Sequence, residues 1–130
     1  MRERLFKGRR VDNAEWIEGY YVYDDGGQIT GYPAAYIVYL NKHPCGWSLM
    51  PFEIIPETIC EYIGICDKNG KKIFENDIIV YDEERGEIAY HESEAMFVLE
   101  FDTWFTDFDH VYDKEVEVVG NKFDDEWLVI

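Results

Sequence analysis

The segment Asp107-Phe108-Asp109-His110, with Asp102 and Asp113 close by, is the best candidate for binding a cation or moving a proton. In an extended segment Asp107 and Asp109 share one face, and two carboxylates so placed suit a hard cation such as calcium or magnesium. Such a site also needs a shaped loop with backbone oxygen ligands, and the EF-hand spacing is absent. In a chain with 28 acids among 130 residues, paired aspartates arise from composition alone, so the segment reads as a solvated acidic loop. None of His43, His91 and His110 lies within a recognisable Ser or Cys nucleophile signature. Cys45, in a Pro-Cys-Gly run, is a candidate reactive thiol, set against the plainer role of a small residue half-buried under Trp47. No phosphate loop, dinucleotide fingerprint or HExxH occurs. The expectation is a non-enzymatic protein with no catalytic residue, no metal ligand and no cofactor.

The elements that would position these groups are short strands. Leu5–Gly8 and Trp16–Tyr23 flank a polar corner, Asp12–Glu15, and predict a hairpin. Asp24-Asp25-Gly26-Gly27 breaks the chain, Ala35–Leu40 has strand composition, and Asn41–Ser48 reads as a loop from its Pro and Gly. Met50–Pro56, with proline at both ends, is an edge strand or a connector. Thr58–Asp67 predicts a strand, closed by a type I′ turn at Asn69-Gly70 onto Lys72–Phe74. After the corner Glu75-Asn76-Asp77, Ile78–Tyr81 is apolar throughout, as in a strand covered on both faces or closing a barrel. Asp82–Gly86 turns the chain into Glu87–Tyr90. His91–Leu99 reads as a turn and then a strand, with helix as the alternative, and Trp104–Asp113 as a loop. Glu115–Val119 alternates as a half-buried strand ended by Gly120-Asn121. The tail Glu126–Ile130 would expose Trp127 unless it docks.

Charge restricts the partners. The chain carries −16, a surface that repels nucleic acid and anionic lipid and attracts cations or a basic protein. The balance is uneven: residues 1–10 hold five bases against Glu3 alone, and residues 73–130 hold eighteen acids against three bases. A basic first strand along an acidic sheet, or the basic end of one copy against the acidic face of the next, would each neutralise part of that field. Three cysteines, an odd number without CxxC, indicate reduced thiols and a cytoplasmic protein. No apolar run approaches the ~20 residues that span a bilayer, and the N-terminus has no apolar signal segment. Aromatics at 17%, including Tyr20, Tyr21, Tyr23, Tyr32, Tyr36 and Tyr39, serve as core and as subunit interface.

Three segments, RERLFKGRRVDNAEWIEGY, PETICEYIGICDKNGKKIFENDIIVY and EVVGNKFDD, resemble the YopX-like family of phage and prophage proteins. The central one is the most specific, joining a Tyr-x-Gly strand, an Asp-Lys-Asn-Gly turn and an acidic corner before an Ile/Val strand. The resemblance implies a β-rich homo-oligomer and brings no catalytic residues to carry over. The family pattern usually has glycine where this chain has Asn76, a residue that tolerates left-handed backbone. The order NDIIVY, turn, GEIAY is also similar to the opening hairpin of small SH3-like barrels, an analogy of fold alone.

The architecture expected is all-β: N-terminal hairpins in residues 1–56, packed on a C-terminal acidic SH3-like barrel or barrel-like sheet in residues 57–130, as one compact domain. The function expected is that of a self-associating interaction module engaging a basic host or phage protein. The alternative is a nucleic-acid-binding module using Arg9 and Arg10 of the basic first strand with Lys68, Lys71 and Lys72 at a hairpin tip. The acidic field opposes that alternative, because phosphate binding needs a basic groove.

Overall fold

The computed structural model describes residues 4–108 and 115–124. Its strands are β1 (Phe6–Arg9), β2 (Trp16–Asp24), β3 (Ala34–His43), β4 (Gly46–Glu53), β5 (Cys60–Cys66), β6 (Lys72–Phe74), β7 (Asp77–Tyr81), β8 (Glu84–His91), β9 (Met96–Glu100), β10 (Phe105–Thr106) and β11 (Glu117–Asn121). They pair antiparallel in two sheets, ordered β4-β3-β2-β1-β5-β6 and β10-β9-β8-β7-β11. The chain divides into two compact units, Met1–Glu61 and Tyr62–Ile130, with the boundary inside β5.

In the first unit the β1–β2 hairpin forms as its composition predicts, Phe6 opposite Gly19 and Arg9 opposite Trp16. Its corner is tied by Ala14 N–H to the Arg10 carbonyl and by Glu15 N–H to the Asn13 side chain, at 2.9 and 3.0 Å. The core is Ala35, Ile37 and Ile54, with Phe6, Ile17 and Ile59 against it. Buried Thr58 ties the 3-10 turn Pro56–Thr58 to β1. Its hydroxyl accepts from Arg9 N–H at 2.9 Å and donates to the Ile55 carbonyl at 2.6 Å. The run Asn41–Ser48 is not a loop. Strand β3 continues to His43, β4 starts at Gly46, and only Pro44-Cys45 turn the chain. Pro and Gly at a two-residue hairpin turn carry the same composition signal as a longer loop, and strand pairing decides between them.

In the second unit the core is Ile73, Ile79, Ile88, Leu99, Phe101, Val116 and Val118. Among the described residues the expected SH3-like barrel does not form: the five-stranded sheet is open, beginning at β10 and ending at β11. Closure would need those two edges to pair over several residues, and β10 supplies only Phe105 and Thr106. Strand β7 is correspondingly covered unevenly, with Ile79 fully buried and Ile78, Val80 and Tyr81 half-buried. His91–Leu99 is a turn and then strand β9, as expected. Gly120-Asn121 does not end its strand. Both residues lie in β11, where a bulge between Val118 and Gly120 shifts the register against β7.

The two turns also exchange roles. Asn69 lies outside the left-handed region and only Gly70 is at positive φ, 80°, so Asn69-Gly70 is not a type I′ turn. It belongs to a three-residue loop closed by Asp67 N–H to the Lys71 carbonyl and Gly70 N–H to the Asp67 carbonyl. The two-residue hairpin turn with both central residues at positive φ is Asp82-Glu83, at 52° and 65°, between Tyr81 and Glu84. Gly86, expected in that turn, lies inside β8. A Cβ there would sit 2.8 Å from the Phe101 ring.

Candidate functional site

The stretch that carries the family signature builds a buried polar scaffold. Asp67 is 5% exposed. One carboxylate oxygen accepts from Asn69 and Lys71 N–H, and the other from Val118 N–H, all at 2.9 Å. Burial alone would push this carboxyl up, but the three amides outweigh it and hold the group below the usual carboxylate range. Asp77, fully buried, accepts from Phe74 N–H at 2.8 Å and from the Asn121 side-chain amide at 3.0 Å. The Asn121 side-chain oxygen Oδ1 in turn accepts from Phe123 N–H at 3.0 Å. Asn76 adopts φ 73°, donating its N–H to the Ile88 carbonyl and accepting from Lys122 N–H on its own carbonyl. Gly64, the glycine of the Tyr-x-Gly strand, is at φ 100°, between the Tyr62 and Cys66 positions where β5 slips register against β6. Each acceptor is filled by a neighbouring backbone or amide donor. These residues specify turns and leave little to offer a ligand.

The sequence-predicted candidates lie elsewhere. Asp102 is exposed and Asp107 half-buried, while Asp109, His110 and Asp113 fall outside the described residues, as does the tail with Trp127. Among the described residues, no group of three His, Cys, Asp or Glu could hold a metal ion. Cys45 is exposed at the β3–β4 turn, Cys60 is buried, Cys66 half-buried, and all three are free thiols. His43 shares a 2.6 Å hydrogen bond with Ser48 across the base of that turn. Of the basic residues of the nucleic-acid alternative, Arg9, Arg10 and Lys68 have their side chains engaged within their own units. Arg9 donates to the Ala14 carbonyl at 2.7 Å and lies over Trp16. Arg10 grips Asp12 through two bonds of 2.9 and 2.6 Å and lies over Phe52. Lys68 pairs with Glu117 at 3.0 Å. Lys71 gives its backbone N–H to Asp67, and Lys72 opens β6 opposite Cys66.

Two features remain without an assigned task. The first is His91, held by Glu100 at 2.6 Å and Glu94 at 3.3 Å, its ring against Phe105. The hydrogen bond to Glu100, assisted by Glu94, raises its pKa above the ordinary value. The second is an apolar face on β2, β3 and β4. Tyr20 stands opposite Val38 and Val38 opposite Pro51; Leu40 stands opposite Leu49, and Lys42 opposite Trp47. Opposed residues share a face, and this one is the reverse of the Ile37 face that carries the core. Sequence reasoning missed it by reading Asn41–Ser48 as a loop. A signal was present all the same: Gly26–Phe52 contains no Asp or Glu.

Fold and surface together define an all-β protein of two antiparallel sheets, with a buried carboxylate scaffold and an acidic exterior. The YopX protein family model matches residues 10–129, and the chain belongs to this family of phage and prophage proteins. Its fold is similar to that of protein EF1440 from Enterococcus faecalis, known from a crystal structure. The TM-score is 0.63 at 23% identity, with all of both chains covered. No match is found among curated proteins. No helix among the described residues is long and apolar enough to cross a membrane.

Proposed function

We propose that this protein is a non-catalytic, self-associating interaction module of the bacterial cytoplasm, whose acidic second unit engages a basic host or phage protein. The observation that carries the reading is the charge of that unit. Residues 62–130 hold nineteen acids against six bases. Asp67 and Asp77 are consumed as buried scaffold, whereas Asp82, Glu83, Glu92, Glu94, Glu100 and Asp102 are exposed. A dense negative field, carried on the turns that join β7 to β8 and β8 to β9 and on the end of β9, steers and selects cationic partners. The cytoplasmic placement is supported by three cysteines, an odd number, without CxxC spacing. The exposed aromatics of the first unit agree with contacts between copies.

The test is retention of host proteins on the immobilised full chain at about 50 mM salt, with stepwise salt elution and identification of what is released. The reading expects one or a few strongly basic proteins, released as screening shortens the reach of the field. Retention of nothing basic, or retention indifferent to salt, refutes it.

A further inference from the structure

We infer that the outer face of the β3–β4 hairpin, with the adjoining residues of β2, is the surface on which two copies of this chain pack against each other. The inference rests on the reading that the chain self-associates, and it names the contact. The face is apolar and uncovered: Leu49 is 66% exposed, Trp47 60%, Tyr20 55%, Leu40 45% and Val22 41%. The chain covers one end of this face itself, where Thr30 bonds the hydroxyl of buried Tyr36 at 2.7 Å. At the other end, toward the hairpin turn, Trp47 and Leu49 are exposed and no described residue covers them.

Charge identifies the occupant. Two copies at −16 repel wherever their acids face each other. At the mean density of 28 acids in 130 residues, about six would fall in the 27 residues Gly26–Phe52, and there are none. The β3–β4 part of this face, from Val38 and Pro51 to the turn, carries no acid, and Glu18 and Asp24 of β2 and Glu53 of β4 border it, so copies meet there with the least of that penalty. An anionic membrane or a nucleic acid would be repelled by the rest of the chain. The five residues and Pro51 present about 600 Å², so a two-fold pairing buries about 1,200 Å² in all, the lower end of stable specific interfaces. Pro51 in the edge strand β4 has no N–H to offer a neighbouring strand. The contact is accordingly face on face, not a continuation of the sheet.

Sedimentation velocity on the full chain between about 10 and 100 µM tests this, alone and with Leu49→Glu or Trp47→Glu. Both side chains are solvent-exposed, so the variants keep the fold, checked by circular dichroism. Tyr90→Glu, at an exposed apolar position of the second unit, adds the same charge elsewhere. The wild type is expected to sediment as two or more copies, and either hairpin variant to weaken association at least about thirtyfold. Tyr90→Glu should leave the mass unchanged. Raising salt from about 0.05 to 0.5 M should tighten association, because screening removes the repulsion between copies. A wild-type monomer throughout overturns both this contact and self-association. An oligomer that Leu49→Glu and Trp47→Glu leave intact overturns this contact alone, as does association that falls with salt, the signature of a basic end meeting an acidic face.

Discussion

Asp67 is the residue through which the signature stretch is most directly tested. Asp67→Asn keeps the shape but replaces one oxygen by an NH2 group. With its oxygen toward Asn69 and Lys71, the amide faces Val118 N–H, donor against donor. The loss is one charge-assisted bond, worth about 1.5–3 kcal/mol, with a buried amide left unpaired. We expect a destabilisation of about 3 kcal/mol, read as a fall of roughly 1–2 M in the urea midpoint at pH 7. The pH dependence adds a second readout. Because the folded carboxyl titrates below its ordinary 3.8, its contribution is fully present above that value and lost as the pH falls through the folded value. The stability gap between wild type and Asp67→Asn should therefore narrow progressively as the pH falls below about 4. A midpoint change equivalent to less than about 0.5 kcal/mol at pH 7 would refute the assignment of this carboxylate as a structural cap.

Gly86→Ala should lower stability by about 1–3 kcal/mol, since the new methyl meets the Phe101 ring at 2.8 Å and the Glu100 carbonyl at 2.9 Å; thermal unfolding measures it. Replacing Asp82-Glu83 by Asn-Gly should raise stability by about 1 kcal/mol, because both positions have positive φ and that pair suits a type I′ turn. For His91, Glu100→Gln should bring the imidazole pKa back toward 6.5, followed by NMR titration. A raised folded pKa means that its ion pairs stabilise the β8–β9 hairpin below about pH 6.5 and lose that effect as the pH rises through the folded value.

Much of this protein is determined by local chemistry and so stands in the sequence. The β1–β2 hairpin, the turn before β9, the Asn76 corner and the all-β class follow from β-branched runs punctuated by residues that accept turns. The acidic field follows from composition. Whether Pro44-Cys45 closes a tight hairpin or sits in a long loop depends on which residues pair across β3 and β4, and composition cannot say. The same holds for the two turns, since Asp82-Glu83 is driven to positive φ by the register of Tyr81 opposite Glu84. An open sheet in place of a barrel is likewise decided by how far β10 extends, a property of the assembled edge. The candidate surfaces divide in the same way. Asp67, Asp77 and Asn121 read as ordinary polar residues until residues up to 51 positions apart in sequence meet and bury them. The apolar face exists only because pairing aligns Tyr20, Leu40, Trp47 and Leu49 on the side away from the core.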